Sequence, residues 1–472
     1  MRKTKVAVST ALAASALLLA AAPACAADDV PVTPAGKEAL AILKEAIETP
    51  TVAGRGQVPK LAASLKARLV ASGFAEGDVT FTPLGETGYF TARYPGRDRK
   101  AKPLVVIAHM DVVEAKPSDW ERDPFKAIIE NGYVFGRGAR DNKGDLSMIV
   151  AAVMELKRAG WVPGRDIVIG FSGDEETRMA TTKAMADALS NAALVLNGDS
   201  GGGELDTGGK PFVYSIQAGE KTYADYTLSL TDPGGHSSRP GATNPIAAMG
   251  AAADKIWTYK FPVQLSPLTK AYLEGSAKVA PADVAPAMRA FAADPGDAAA
   301  AATLSARREY VGVIRTTCVP TMIKGGHAPN ALPQSVEANI NCRIFPGTTR
   351  ASVQATLAGV IGDPAIKIAF KDNGTLESIE SPLRPDVLAA VEKAVHERAP
   401  GLAPGLAIVP GMSAGATDSM HFRAKGIPAF GVSASFMRAE DSFSHGLNER
   451  LPLATLDPGV KQWESLLKSL AK

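Results

Sequence analysis

Three short apolar runs, each ending in acidic residues, constrain this chain more than any other feature. "KPLVVIAHMDVV" is almost continuously apolar over 103–113. "DIVIGFS" supplies a second run, Ile167 to Phe171, which leads into Asp174, Glu175 and Glu176. "AALVLNG" supplies a third, which stops just before Asp199. Short apolar runs without alternation suit strands covered on both faces, as in a parallel sheet. Between them, "NKGDLSMIVAAVMELKRAG" and "MATTKAMADAL" read as helices, the first stopped by Gly160. Alternating strand and helix predict an α/β layer with a mainly parallel central sheet.

Two amphipathic helices are expected ahead of that layer, over 35–50 and 58–72. After about residue 215 the texture changes. "KTYADYTLSLTD" and "SVEANINCRIFPG" alternate apolar and polar residues, as half-exposed antiparallel strands do. Helices are expected near 245–259 and in "TTRASVQATLAGVI", and residues 262–309 form an alanine-rich stretch of helical bias broken by prolines. From about 375 the first texture returns, with "RPDVLAAVEKAVHERA" as a helix and "IPAFGVSAS" as a strand. The expected architecture is a discontinuous α/β domain, 27–215 and 375–472, with a smaller α+β domain, 216–374, inserted in it.

The first residues carry a different signal. Arg2, Lys3 and Lys5 precede an apolar stretch that ends in Ala24-Cys25-Ala26. This is the pattern of a secretory signal peptide, 1–26, cleaved after Ala26, and it implies a periplasmic or secreted product. No leucine stands three residues before Cys25, so lipidation is not expected. No other apolar run is long enough to span a bilayer, so no stable membrane insertion is expected after cleavage. Loss of the three cationic residues moves the formal charge from +2 to −1. No basic cluster or aromatic ladder marks a nucleic-acid surface. Two cysteines remain, Cys318 and Cys342. Secretion permits a disulfide between them, and two buried thiols are the alternative.

The chemistry sits at the ends of the apolar runs. His109 and Asp111 close the first strand, Asp141 precedes the following helix, Glu175 and Glu176 follow the second strand, and Asp199 follows the third. Ligands in open α/β sheets collect beyond the carboxyl ends of strands. A lone histidine in an apolar strand is ordinarily a core residue. Here separate segments deliver carboxylates to the same edge. Imidazole and carboxylate suit Zn²⁺, and also Co²⁺ or Mn²⁺. Two such ions about 3.5–4 Å apart need a bridging carboxylate, and spacing leaves open which residue supplies it.

"HMDVV", "GRGARDNKGD", "GDEET", "GDSGG", "GGHSSRP" and "SHGLNE" occur in that order. With them the chain resembles the carboxypeptidase G, aminoacylase and dipeptidase superfamily of dinuclear zinc hydrolases. Within that superfamily it is most similar to the carboxypeptidase S and N-acyl amino acid hydrolase branch. The resemblance implies two Zn²⁺ per chain. His109 and Asp199 would hold one ion, Glu176 and His445 the other, and Asp141 would bridge them. Glu175 would be the general base, and Asp111 would orient His109 from behind. Asn142 departs from the Asp of many relatives, which changes the charge behind the site. Asp199 stands where some relatives carry Glu.

The resemblance also assigns residues of the inserted domain, which it makes a lid and dimerisation domain. His236 would reach the oxyanion, in family dimers from the partner's lid, so a homodimer is implied. Arg343 and Asn330 would hold the substrate's terminal carboxylate and backbone. The glycine-rich loop 411–418, with Gly415 and Thr417, would offer N–H groups to the same carboxylate. His327, His396 and His421 receive no role. The implied activity is hydrolysis of an amide next to a free carboxylate, in a peptide or an N-acyl amino acid, with a metal-activated water. The competing readings are a specialised deacylase such as a desuccinylase, and a catalytically inactive metal-containing binding protein.

Overall fold

The computed structural model describes residues 31–372, 374–398, 406–441 and 443–472. The expected signal peptide lies outside the described residues. At the centre of the molecule four parallel strands lie side by side: Ile167–Ser172, Leu104–His109, Leu194–Asn197 and Ala429–Gly431. All of their residues are buried. Successive side chains of a strand point to opposite faces. Leu104, Val106 and Ala108 therefore share one core with the helices Pro34–Ile47, Lys143–Arg158, Pro385–Arg398 and Leu456–Leu470. Val105 and Ile107 face the other way, towards Met185, Ala186 and Phe422. Covering both faces explains why the sequence shows no alternation there.

The sheet is mixed rather than uniformly parallel. The hairpin Val79–Leu84 and Thr87–Tyr94 adds antiparallel strands beside Ile167–Ser172. On the other side Pro211–Glu220 runs antiparallel to Ala429–Gly431 and to Gly202–Leu205, which in turn pairs in parallel with Phe436–Arg438. Ala407–Ser413 pairs in parallel with Pro211–Glu220. Short connections make the antiparallel pairs Val79–Leu84 with Thr87–Tyr94 and Gly202–Leu205 with Pro211–Glu220, because a tight turn can join only antiparallel neighbours. The helix Lys143–Arg158 ends as its sequence requires, with Gly160 at φ +70° just beyond it.

The chain leaves the large sheet at Glu220 and enters a second one at Thr222, with Lys221 alone between them. The second sheet is antiparallel, in the order Thr317–Gly325, Ser335–Ile344, Thr222–Thr231, Lys367–Lys371. One face carries Ala224, Tyr226, Leu228, Ile340 and Ile344 and is covered by the helices Pro245–Thr258 and Arg350–Ile361. The opposite face is polar and carries Tyr223, Asp225, Asn339, Asn341 and Arg343. Asp225 accepts from the Asn339 and Asn341 amides at 3.0 and 2.9 Å. Cys318 and Cys342 stand opposite each other on neighbouring strands and form a disulfide within this core.

The alanine-rich stretch folds into the helices Pro267–Ser276, Ala285–Ala293, Ala298–Ser305 and Arg308–Val311, around Leu273, Met288, Phe291 and Leu304. Its first helix packs against Ala407–Ser413 of the large sheet. No helix among the described residues is long and apolar enough to cross a membrane.

Candidate metal centre

The three adjacent acids at 174–176 take three different positions. Asp174 accepts from Ala180 N at 2.8 Å and Thr181 N at 2.9 Å, so it satisfies the first free N–H groups of the helix Ala180–Ala188. Glu175 is buried, at 7% exposure. Glu176 turns towards His445, whose Nε2 lies 2.9 Å from its Oε1. The three acids therefore do not form a merely solvated turn. Both oxygens of Asp111 are used to build this turn: Oδ1 accepts from Glu175 N and Oδ2 from Glu176 N, each at 3.0 Å. The backbone carbonyl of Asp111 lies 3.0 Å from His109 Nδ1. One residue thus fixes the His109 ring and the acidic pair together.

His109 Nε2 faces forward, 2.9 Å from Asp141 Oδ1 and 3.5 Å from Asp199 Oδ1. His445 Nε2 is 3.4 Å from Asp141 Oδ2. Asp141 therefore stands between the two imidazoles and offers one oxygen to each. Ligand atoms of His109, Asp141 and Glu176 lie within 4.8 Å of one another, and so do those of His109, Glu175 and Asp199. Two adjacent groups of donors result, consistent with a dinuclear site.

Burial pushes the Glu175 carboxyl well above the usual carboxylate range, and the Asp199 charge pushes it further. Burial also raises Asp199, to about 6, against the pull of His109. Burial opposes charge on His109, but Asp199, Asp111 and Asp141 outweigh it and hold the imidazolium well above its ordinary value. Hydrogen bonds to Asp141 and Glu176 raise His445 to about 10. Burial opposes charge on Asp141 too, and His109 and His445 hold it below the carboxylate range. Crowded carboxylates thus hold protons on their neighbours where cations are missing. Oxygen and imidazole nitrogen donors converging on such a deficit fit divalent ions of the Zn²⁺ type, which bind with release of those protons.

Glu449, in the "SHGLNE" segment, is a functional residue that sequence reasoning missed. Fully buried, it accepts from Gly138 N, Arg140 N and Asp141 N at 3.1, 2.8 and 2.9 Å, and from Arg137 Nη1 at 2.6 Å. Arg137 Nη2 reaches the His445 carbonyl at 3.4 Å. Glu449 thereby holds the Asp141 loop, and through Arg137 the His445 segment, in register. Its only sequence signal is an acid four residues after His445. Asp418 is a second. It is buried, accepts from Ser172 Oγ and Thr182 Oγ1, and is pushed up to about 7 by burial. Asn142 donates to the Gly198 carbonyl at 3.1 Å, next to Asp199, and the Asp141–Asn142 peptide is cis.

The remaining sequence-predicted residues lie apart from the carboxylate cluster. His236 is exposed on the two-residue strand Gly235–His236, paired with Ala331–Leu332, and its Nδ1 lies 2.8 Å from Ser238 Oγ. Among the described residues no carboxylate comes within 4.0 Å of its ring. The exposed Asn330 adjoins it, accepting from Ser237 N at 3.0 Å. Arg343 lies on the polar face of the second sheet, over the Tyr223 ring at 4.6 Å, and donates to the Ala414 carbonyl at 2.6 Å. It too has no carboxylate within 4.0 Å among the described residues, so it is not half of a structural salt bridge. Its bond to Ala414 joins the second sheet to the glycine-rich loop. In that loop Gly415 N donates to Ser413 Oγ at 3.0 Å, and Thr417 Oγ1 donates to the buried Glu220 at 3.1 Å. Glu220 is itself paired with the buried Arg423 at 2.9 Å. His421 is buried, and burial lowers its imidazole to about 4.

A mixed α/β sheet with imidazoles and carboxylates gathered at its strand ends, and a smaller sheet inserted as a lid, defines a metal-dependent hydrolase. The chain belongs to the peptidase family M20/M25/M40, whose family model matches residues 105–469. It is similar to the bovine N-fatty-acyl-amino acid synthase/hydrolase PM20D1, 27% identical over 383 residues, with 78% of this chain and 74% of the bovine protein covered. It is 28% identical to carboxypeptidase S of Saccharomyces cerevisiae over 279 residues, with 53% of this chain and 46% of the yeast protein covered. In fold it resembles the M20 metallo-carboxypeptidase Sso-CP2 of Sulfolobus solfataricus, with a TM-score of 0.70 at 21% identity, covering 91% of this chain and 98% of that one. The dipeptidase Dug1p of Saccharomyces cerevisiae superimposes with a TM-score of 0.65 at 20% identity, covering 92% and 95%.

Proposed function

We propose that this protein hydrolyses amide bonds next to a free carboxylate, in peptides or N-acyl amino acids. The observation that carries the reading is Glu175, buried within the donor cluster beside Glu176, which bonds His445. His109 and Asp199 would hold one Zn²⁺, Glu176 and His445 the second, and Asp141 would bridge, with Co²⁺ or Mn²⁺ as alternative ions. Such ions, when bound, polarise the scissile carbonyl and acidify the attacking water. Glu175 takes the proton of that water as its oxygen bonds to the carbonyl carbon. As the C–N bond breaks, Glu175 returns the proton to the leaving nitrogen. Burial suits it to this task, because a raised pKa lets a carboxylate both accept and release a proton near neutrality. Asp111 and Glu449 act as positioning residues through the backbone bonds they accept.

Arg343 is the natural seat of the substrate carboxylate: a planar fork without an acidic partner, joined to the loop that carries Gly415 and Thr417. Asn330 would contact the substrate backbone. The relatives named for N-fatty-acyl-amino acid hydrolysis and carboxypeptidase S support this substrate class over a desuccinylase. The intact donor set supports an enzyme over an inactive binder. Zinc-loaded protein is therefore expected to cleave dipeptides, longer peptides or N-acyl amino acids with a free carboxylate. It should prefer them over their C-terminal amides by about tenfold or more, the scale of a charge-assisted hydrogen bond. Equal cleavage of acids and amides would overturn the reading. The leader pattern at 1–26 supports a periplasmic or secreted setting for this activity.

The lid also supports a homodimer in which His236 serves the partner's metals, since it is exposed and has no carboxylate beside it. Mixing inactive His236→Ala and Glu175→Gln chains under subunit exchange should restore activity to about a quarter of wild type. Half of the dimers are then mixed, and each has one intact site of two. No recovery despite demonstrated exchange would mean that His236 does not act across the interface.

A further inference from the structure

A polar cavity of about 340 Å³ flanks the metal centre, and nothing in the reaction described above uses it. Arg140 and Arg438 line it together with Ser215, Glu204 and the glycine run at 201–203. Its parts are held by the elements that hold the centre. Arg140 precedes Asp141, and its backbone N–H is bound by Glu449 at 2.8 Å. The glycine run begins two residues after Asp199. Arg438 ends the strand Phe436–Arg438, which pairs in parallel with Gly202–Leu205.

Glycine lets this wall pack closely on the neighbouring strand. Gly202 has φ +107°, and a Cβ there would come 3.0 Å from the Ser435 carbonyl. A Cβ on Gly203 would collide with the Phe436 ring. The two arginines supply the positive charge of the cavity. Neither guanidinium has a carboxylate within 4.0 Å among the described residues, and neither donates a hydrogen bond to a protein group there. By contrast Arg137, three residues before Arg140, is paired with buried Glu449 at 2.6 Å. Glu204 is the single acid on the cavity wall, out of salt-bridge reach of both arginines. Two guanidiniums on one small cavity repel each other unless an anion lies between them, and their planar forks match a carboxylate.

We propose that this cavity is an anion-accepting subsite, in which Arg140 and Arg438 hold a second carboxylate of the substrate, distinct from the one seated on Arg343. The inference rests on the amide-hydrolase reading and narrows it: the preferred substrates are acidic, with two carboxylates. The second carboxylate belongs either to the acyl portion or to the side chain of the leaving residue, and the test separates the two.

Glu-Leu, Gln-Leu, Leu-Glu and Leu-Gln would be compared on zinc-loaded wild type, Arg140→Gln, Arg438→Gln and the double variant. Wild type is expected to favour one Glu-containing dipeptide over its Gln counterpart by about tenfold in kcat/KM, chiefly through KM. Which pair shows the preference identifies the portion that carries the carboxylate. In the double variant the preference should fall towards one while metal content stays at the wild-type level. Glutarate binding by calorimetry gives a readout independent of turnover, and the double variant should bind it about tenfold more weakly. Absence of a Glu preference in wild type, or a preference that survives in the double variant, would overturn the subsite. If no dipeptide is cleaved, the amide-hydrolase reading is what fails. Equal glutarate affinity in wild type and double variant then overturns the subsite separately.

Discussion

Glu175→Gln is expected to lower kcat by about 10²–10⁴ while the protein keeps its full metal content, because the change removes a general base and leaves the ligands in place. Glu176→Gln is expected to behave differently. It removes an oxygen that lies 2.9 Å from His445 Nε2, and so weakens metal retention first and activity as a consequence. The two variants differ by one position in sequence and by almost nothing in size or charge. Both backbone N–H groups are held by Asp111 in the same way, so a general collapse of the turn would affect both alike. Metal analysis and kcat measured on the same preparations separate the outcomes. Equal loss of metal from both variants would contradict the division of labour.

Much of the centre was legible because its chemistry sits where strands end. His109 ends an apolar run and Glu175, Glu176 and Asp199 follow others, and parallel strands bring those ends to one edge. The helix Lys143–Arg158 and the strands around it follow from the same pattern. What the sequence hid depends on long-range pairing. Glu449 acts by accepting N–H groups about 310 positions earlier in the chain, and no local pattern marks an acid for that work. The apposition of Cys318 and Cys342 is a matter of strand register, which spacing alone leaves open. The antiparallel flanks of the sheet were missed because strand direction is set by long-range pairing, of Thr87–Tyr94 with Ile167–Ser172 and of Pro211–Glu220 with Ala429–Gly431. Alanine-rich 262–309 revealed helices but not that the first of them leans on Ala407–Ser413.

Removal of the metals is expected to have the largest effect. A chelator should reduce activity to background, and Zn²⁺ or Co²⁺ should restore it. The physical reason is in the donor set: Asp141, Glu175, Glu176 and Asp199 crowd around two imidazoles. Metal-free, this crowding and burial raise the proton affinity of His109, His445, Asp199 and Glu175. A cluster in that state lacks the cations to polarise a carbonyl and to draw the proton from Glu175, whose carboxyl is raised by burial well above the usual range. Activity that persists after exhaustive chelation would mean that the amide is attacked without this centre.

The measurement closest to the central claim is the zinc content of the zinc-loaded, desalted protein, determined by elemental analysis against protein concentration. Asp141 between two imidazoles, with Asp199 on the His109 side and Glu176 on the His445 side, predicts close to two ions per chain, and content near one in Glu176→Gln. A wild-type content that stays at zero after loading, or saturates at one, would contradict a dinuclear centre.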